Sequence, residues 1–302
     1  MGEIKFKYVQ RDSDILVDLY KHRFLTISQI HRLHFPSLQT AYRRMRLLKQ
    51  AGYASPFTVP NIEESIFALA GKGIQAVAES LGVDKNELKW TETRTRPHDY
   101  YFMQHFIAIN DFRIALRQAC ENSTIQLLGF IPDYYGEKTD KGGITKYIRD
   151  VSCDIASERE EISHTPDGVF ALRKEGKSAL FFLEIDRGTE TVSDSDKGVL
   201  KAVRFYLNYL LEGKYQRYAK DFNVESFKGF RTLFLTTSES RIQNIRKAAA
   251  AVDIPEKAKR FLWLSTYDRL NNAGIFNPIW VSSHEADAER HSLWGKGNKI
   301  NH

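Results

Sequence analysis

The chain has few residues that could staple it together or ligate a soft metal. It holds two cysteines in 302 residues, Cys120 and Cys153, and neither belongs to a CxxC pair or to a Cys/His spacing that suits zinc. A disulfide framework is excluded, and a reduced, cytoplasmic setting is expected. No apolar run approaches membrane-spanning length, so no membrane partner is expected. The opening stretch MGEIKFKYVQRDSD lacks the apolar core of a secretory leader. Gly2 begins a string resembling a myristoylation signal, but Phe6 stands where Ser or Thr is required. No G-x-G-x-x-G is present, and the glycine-bearing GEKTDKGGIT lacks phosphate-loop spacing. Dinucleotide and P-loop chemistry therefore have no support.

Hydrophobic residues make up 42% of the chain and charged residues 27%, with both signs mixed. That composition supports a folded core, and the length suits two compact domains. The net charge is +6. A modest basic excess permits binding to a polyanion, and the placement of the charge decides whether it does.

The spacing of apolar residues predicts helices over 12–22, 26–35 and 37–51. Asp12 or Ser13, Thr26 or Ser28, and Ser37 are the candidate caps, and Pro36 and Gly52 are the stops. Two short strand candidates follow, YASPFTV and ESIFALA, separated by a turn with Pro and Asn, and then the helix-like GKGIQAVAESLG. This order predicts a winged helix-turn-helix over 1–82. Its third helix should enter a major groove of double-stranded DNA. Gln39, Thr40 and Arg43 lie early enough to reach base edges, whereas Arg44, Arg46 and Lys49 suit phosphates. A solvated basic face on a structural helix would look the same.

The polar segment 83–96 reads as a linker. A second domain over 97–283 then begins with a long helix. Three strands, a helix, a strand, a helix and a strand follow it, the order of an α/β sheet covered on both faces. GEKTDKGGIT is expected to be a loop and SEREEIS a solvated acidic turn. Residues 284–302 are expected to form a polar, flexible tail.

Three acids stand out in this domain. Glu184 and Asp186 lie two apart at the carboxyl end of an apolar strand, so they share a face. Asp167 opens the preceding strand, and a hairpin through RKEGKS would bring it beside Glu184. Converging carboxylates repel unless a cation lies among them, and their oxygens suit Mg²⁺ or Mn²⁺. Such an ion could activate water against a phosphodiester. Equally, Thr-Pro-Asp-Gly is a good turn by itself, and a carboxylate at a strand end is common.

Asp167 followed by Glu184 on the next strand resembles the PD-(D/E)xK nuclease superfamily, with Asp186 where a lysine is expected. Lys197 and Lys201, one turn apart on the next helix, could supply that charge, and Arg187 is a third candidate. Three segments in order, HDYYFMQ from His98, TPDGVF from Thr165 and EIDRGTE from Glu184, resemble the replication-relaxation family. That family includes relaxases of the mobilisation type C group. The resemblance implies an amino-terminal winged helix and a PD-(D/E)xK restriction-endonuclease-like α/β domain using a divalent metal. It implies processing of DNA at an origin of transfer or replication of a plasmid or integrated element, alongside accessory mobilisation or coupling proteins. It gives catalytic roles to His98, Asp99, Asp167, Glu184, Asp186 and Glu190. Among the fourteen tyrosines, Tyr100, Tyr101 and Tyr206 are nearest the motifs. The expected activity is metal-dependent nicking. The alternative is a non-catalytic DNA-binding replication or transcription factor with a degenerate nuclease-like domain.

Overall fold

The computed structural model describes residues 6–88, 90, 99–138, 144–153, 161–188, 198–250, 260–284, 287 and 289–294. The chain divides into two compact units, Met1–Ile114 and Ala115–His302.

The first unit opens with helix α1 (Gln10–His22), a short strand β1 (Leu25–Thr26), α2 (Ile27–His34) and α3 (Leu38–Gln50). Local chemistry sets these boundaries. The Thr26 hydroxyl accepts from the Gln29 amide while the Gln29 side chain accepts from the Thr26 amide, a reciprocal cap. The Ser37 hydroxyl accepts from the Thr40 amide. Gly52, at φ +80°, turns the chain out of α3. Strands β2 (Ala54–Val59) and β3 (Ile62–Leu69) form the wing hairpin, with Asn61 in the left-handed region at its turn. β1 pairs with β3 and completes a three-stranded sheet in the order β1–β3–β2. Helix α4 (Gly71–Leu81) then packs on α1. The core gathers Ile15, Leu16 and Leu19 from α1, Ile27 and Ile30 from α2, Ala41, Met45 and Leu48 from α3, and Ile74 and Val77 from α4. These are positions that the helical spacing points inward, although Leu38, which opens the same run on α3, is exposed; each large aliphatic side chain contributes about 1.5–3 kcal/mol by burial.

Helix α5 (Tyr100–Glu121) begins in this unit. Fully buried Asn110 donates to the carbonyls of His22 and Phe24, and Arg113 donates to the Lys21 carbonyl. Two polar side chains thereby satisfy the free carbonyls where α1 ends. These contacts bind α5 as far as Ile114 to the first unit, so the division falls inside the helix and not in the polar segment 83–96.

The second unit is built on a seven-stranded sheet. Its strands are β4 (Gln126–Pro132), β9 (Gly168–Lys174), β10 (Lys177–Ile185), β11 (Phe230–Thr236), β12 (Leu262–Thr266), β13 (Trp280–Ser282) and β14 (Arg290–His291). β4, β9 and β10 run alternately antiparallel, and β10, β11 and β12 run parallel. Helices α6 (Gly198–Glu212) and α8 (Glu239–Ala250) supply Val203, Tyr206, Ile242 and Ile245 to the same core as Leu180, Phe182 and Phe234 of the sheet. Two short helices, α7 (Tyr218–Asp221) and α9 (Tyr267–Ala273), complete the unit.

Three expectations need correction here. The ends of GEKTDKGGIT are not loop: β5 (Gly136–Lys138) pairs with β6 (Ile144–Lys146). The end of SEREEIS is not an acidic turn: β8 (Glu161–His164) pairs with β7 (Asp150–Cys153) against α6. The expected flexible tail supplies β14, which pairs with Trp280 and Val281, and Leu293 beyond it is buried. In each case the partner strand satisfies backbone groups that a polar sequence would otherwise leave to water.

Candidate DNA-binding face and acidic site

On α3, the side chains of Gln39, Thr40, Arg43, Arg46 and Lys49 are exposed on one side of the helix, and Ala41, Met45 and Leu48 are buried on the other. Arg44 is the exception among the expected DNA contacts. Its guanidinium grips the fully buried Asp12 carboxylate through Nε at 2.6 Å and through Nη2. Nη2 also donates to the Lys7 carbonyl at 2.8 Å, and the group lies over the Phe6 ring. Arg44 therefore ties α3 to α1 and is withdrawn from the exposed row. Asp12 also accepts from the Val9 amide at 2.8 Å, capping α1.

In the second unit, the register that pairs Leu183 with Gly168 places Asp167 opposite Glu184. The backbone agrees: the Asp167 amide donates to the Leu183 carbonyl, and the Ile185 amide donates to Asp167 Oδ2 at 2.7 Å. Asp167 and Glu184 thus converge as the hairpin argument requires. Their neighbours escape a reading of the motifs. His164 Nε2 lies 2.7 Å from Glu184 Oε1, and the Tyr206 hydroxyl donates to the same oxygen. The rings of His164 and Tyr206 meet edge to face, 5.3 Å apart. Burial raises the Glu184 carboxyl above its ordinary value, while His164 pulls it down and Asp167 adds to the rise. Burial, with Glu184 beside it, holds the Tyr206 hydroxyl well above its usual range. A fully buried phenol in this state is a donor that fixes Glu184, and it is poorly suited to be a nucleophile.

Asp186 shares the Glu184 face but meets different partners. Arg241 on α8 grips it with two bonds, Nε to Oδ2 at 2.7 Å and Nη2 to Oδ1 at 2.9 Å. The Thr236 hydroxyl donates to Oδ2 and the Gly188 amide to Oδ1. Both oxygens are saturated, so Asp186 does not join a three-carboxylate cluster. No group of three or more His, Cys, Asp or Glu suited to holding a metal occurs among the described residues. Lys201 is half-buried on α6, without an ion pair among the described residues. Asp99 is exposed and its Oδ1 accepts from the Phe102 amide, so it caps α5. His98, Glu190 and Lys197 lie outside the described residues.

A helical unit with a β-hairpin wing, followed by an α/β unit with an acidic pair at the carboxyl end of its interior strand β10, defines a two-unit winged-helix protein. The sequence profile of the replication-relaxation family matches residues 16–224, and the chain belongs to that family. Comparison with curated proteins gives no match. Among solved structures, the zinc-responsive MarR family member ZitR of Lactococcus lactis aligns at 16% identity and a TM-score of 0.24, covering 37% of this chain and 82% of that one. A mutant of ZitR aligns at 17% identity and a TM-score of 0.23, covering 40% and 82%. These scores are too low to define a shared fold. No helix is long and apolar enough to cross a membrane among the described residues.

Proposed function

We propose that this chain binds double-stranded DNA through α3 and the wing, and nicks it at an origin of transfer or replication with a divalent metal. The observation that carries the DNA reading is the exposed row of Gln39, Thr40, Arg43, Arg46 and Lys49 on a helix whose opposite face is wholly core. Arg43 is placed to grip guanine, and Arg46 and Lys49 to neutralise phosphates.

The nicking reading rests on Asp167 and Glu184. Mg²⁺ is commonly held by one or two carboxylates, with water and substrate phosphate completing the shell. Asp167 and Glu184, opposite each other across the hairpin, are the residues that would hold the ion. Bound there, the ion would polarise a phosphodiester oxygen and lower the pKa of a water. The protein's own part is orientation. His164 and Tyr206 lock one Glu184 oxygen, and the Ile185 amide locks one Asp167 oxygen. Asp186, which stands where the lysine is expected, is held by the Arg241 guanidinium.

The alternative is a DNA-binding protein whose acidic pair is inactive. It is favoured by the saturation of Asp186. A supercoiled plasmid carrying the chain's own origin region separates the two. Relaxation that needs Mg²⁺ or Mn²⁺, stops with chelator and is lost in Asp167→Asn and Glu184→Gln with origin binding retained supports nicking. Origin binding without relaxation under any metal supports the alternative. Absence of origin binding would overturn both.

A further inference from the structure

At the amino ends of β10 and β11, the second unit opens into a cavity of about 770 Å³. Four cations line it, Arg173, Lys177, Lys228 and Arg231, against a single carboxylate, Glu225. None of the four lies in an ion pair among the described residues. Arg173 donates to the Ser178 hydroxyl at 3.1 Å, and the guanidinium of Arg231 lies over the Trp263 indole at 4.4 Å. Arg231 is half-buried, and burial lowers its pKa with no acid opposing the shift. Elsewhere in the chain, Arg44, Arg217 and Arg241 each find a carboxylate. A guanidinium drawn out of water without a counter-ion is stabilised by an incoming anion.

Two features point beyond a bare anion. The volume lies within the range of about 300–1,000 Å³ typical of small-molecule sites. Trp294 also lines the cavity, partly exposed, and offers an aromatic face on which a flat ring can stack. We propose that this cavity binds a nucleoside phosphate, with the phosphate among Arg231, Lys177 and Lys228 and the base against Trp294. Glu225 then accepts from a sugar hydroxyl or a base amine. The ligand is either a free nucleotide or the terminal nucleotide of a DNA strand, and both present the same groups. This site lies at the opposite end of β10 from Glu184 and does not depend on the nicking reading.

The test uses the full chain carrying Arg43→Ala and Arg46→Ala, so that α3 does not compete for DNA. Tryptophan fluorescence and calorimetry are followed with dAMP, ATP, a 5′-phosphorylated pentathymidylate and inorganic phosphate. Saturable binding of at least one nucleotide probe is expected, tighter than that of inorganic phosphate. Lys177→Glu with Lys228→Glu, both at exposed positions, should weaken it by about tenfold or more. Trp294→Ala should reduce the preference for nucleotide over phosphate. A mononucleotide binding as well as the oligonucleotide identifies a free nucleotide as the ligand, and a strong preference for the oligonucleotide identifies a strand end. No saturable binding of any nucleotide probe, phosphate binding as tightly as nucleotide, or unchanged binding in the double lysine variant would overturn the proposal.

Discussion

The pair of Asp186 with Arg241 offers the sharpest test of how the acidic site is built. The Arg241→Ala variant leaves a carboxylate that is 7% exposed without its guanidinium. Breaking a buried ion pair by removing one partner costs about 3–5 kcal/mol. Thr236 and Gly188 still donate to Asp186 in this variant, which places the loss near the lower end, about 3 kcal/mol. For a unit of this size each kcal/mol shifts the melting temperature by about 2–4 °C, so a drop of roughly 6–12 °C is expected. Urea unfolding measures the loss directly. The double variant Asp186→Ala, Arg241→Ala should recover part of it, because no lone charge remains buried. In parallel, Asp186→Asn should leave the metal concentration needed for nicking unchanged. Stability within 1 kcal/mol of wild type in Arg241→Ala, or a shifted metal requirement in Asp186→Asn, would refute this assignment and restore Asp186 as a ligand.

Other outcomes follow from the same geometry. Arg44→Ala should destabilise the first unit by about 3 kcal/mol, because Asp12 is left buried without its counter-charge, whereas Arg46→Ala should be near neutral in thermal melts. In DNA titrations, Arg43→Ala should cost about 1–3 kcal/mol on the preferred site, and Arg46→Ala should lower the salt slope by about 1. For Glu184, burial raises the folded-state pKa above the ordinary 4.5, so the native state holds more protons than the unfolded chain between those two values. Stability should therefore fall as pH rises through that window, and Glu184→Gln should flatten the fall in denaturation curves taken across a pH series. Gly73→Ala should destabilise the wing, since an added Cβ would lie 2.2 Å from the Tyr53 carbonyl oxygen; a melting temperature equal to wild type would contradict this packing.

The winged helix was legible in the sequence because short-range chemistry specifies it. Thr26 and Ser37 cap as their types and positions demand, and the three-four spacing of Ala41, Met45 and Leu48 marks the buried side of α3. The hairpin that joins Asp167 to Glu184 was also legible, since RKEGKS is compact enough to fix the register. What escaped sequence reasoning depends on contacts between distant residues. Arg241 stands 55 residues from Asp186, and Asp12 stands 32 from Arg44. In both cases an arginine that would pass for surface charge is consumed by a buried acid. His164 was hidden in an acidic run, and only the pairing of β7 with β8 beside α6 delivers it to Glu184. Asn110 and Arg113 resemble solvent-facing helical residues until α1 presents its free carbonyls to them.

One hairpin register controls both ends of the second unit. β9 and β10 pair from Lys174 with Lys177 to Gly168 with Leu183, so Asp167 and Glu184 meet at one end while Arg173 and Lys177 mark the other. Seven residue steps separate Lys177 from Glu184, about 23 Å of strand. No single phosphate can touch both the acidic pair and the cationic cavity, and the two must act on different groups. A slip of one residue in β10 would turn Glu184 away from Tyr206 and Lys177 away from the cavity together. The aromatic ladder resists such a slip: Phe170 stacks between Phe130 at 5.9 Å and Phe181 at 4.9 Å, with rings near parallel across three adjacent strands. Gly168 adds a steric lock, since an added Cβ there would lie 2.2 Å from the Phe130 ring. Gly168→Ala should therefore damage more than stability. By displacing the residue next to Asp167 it should loosen the Asp167–Glu184 pair and lower nicking by more than the lost folded fraction accounts for. Activity that simply tracks the folded fraction, measured on the same samples by circular dichroism, would show that the register does not set the acidic site.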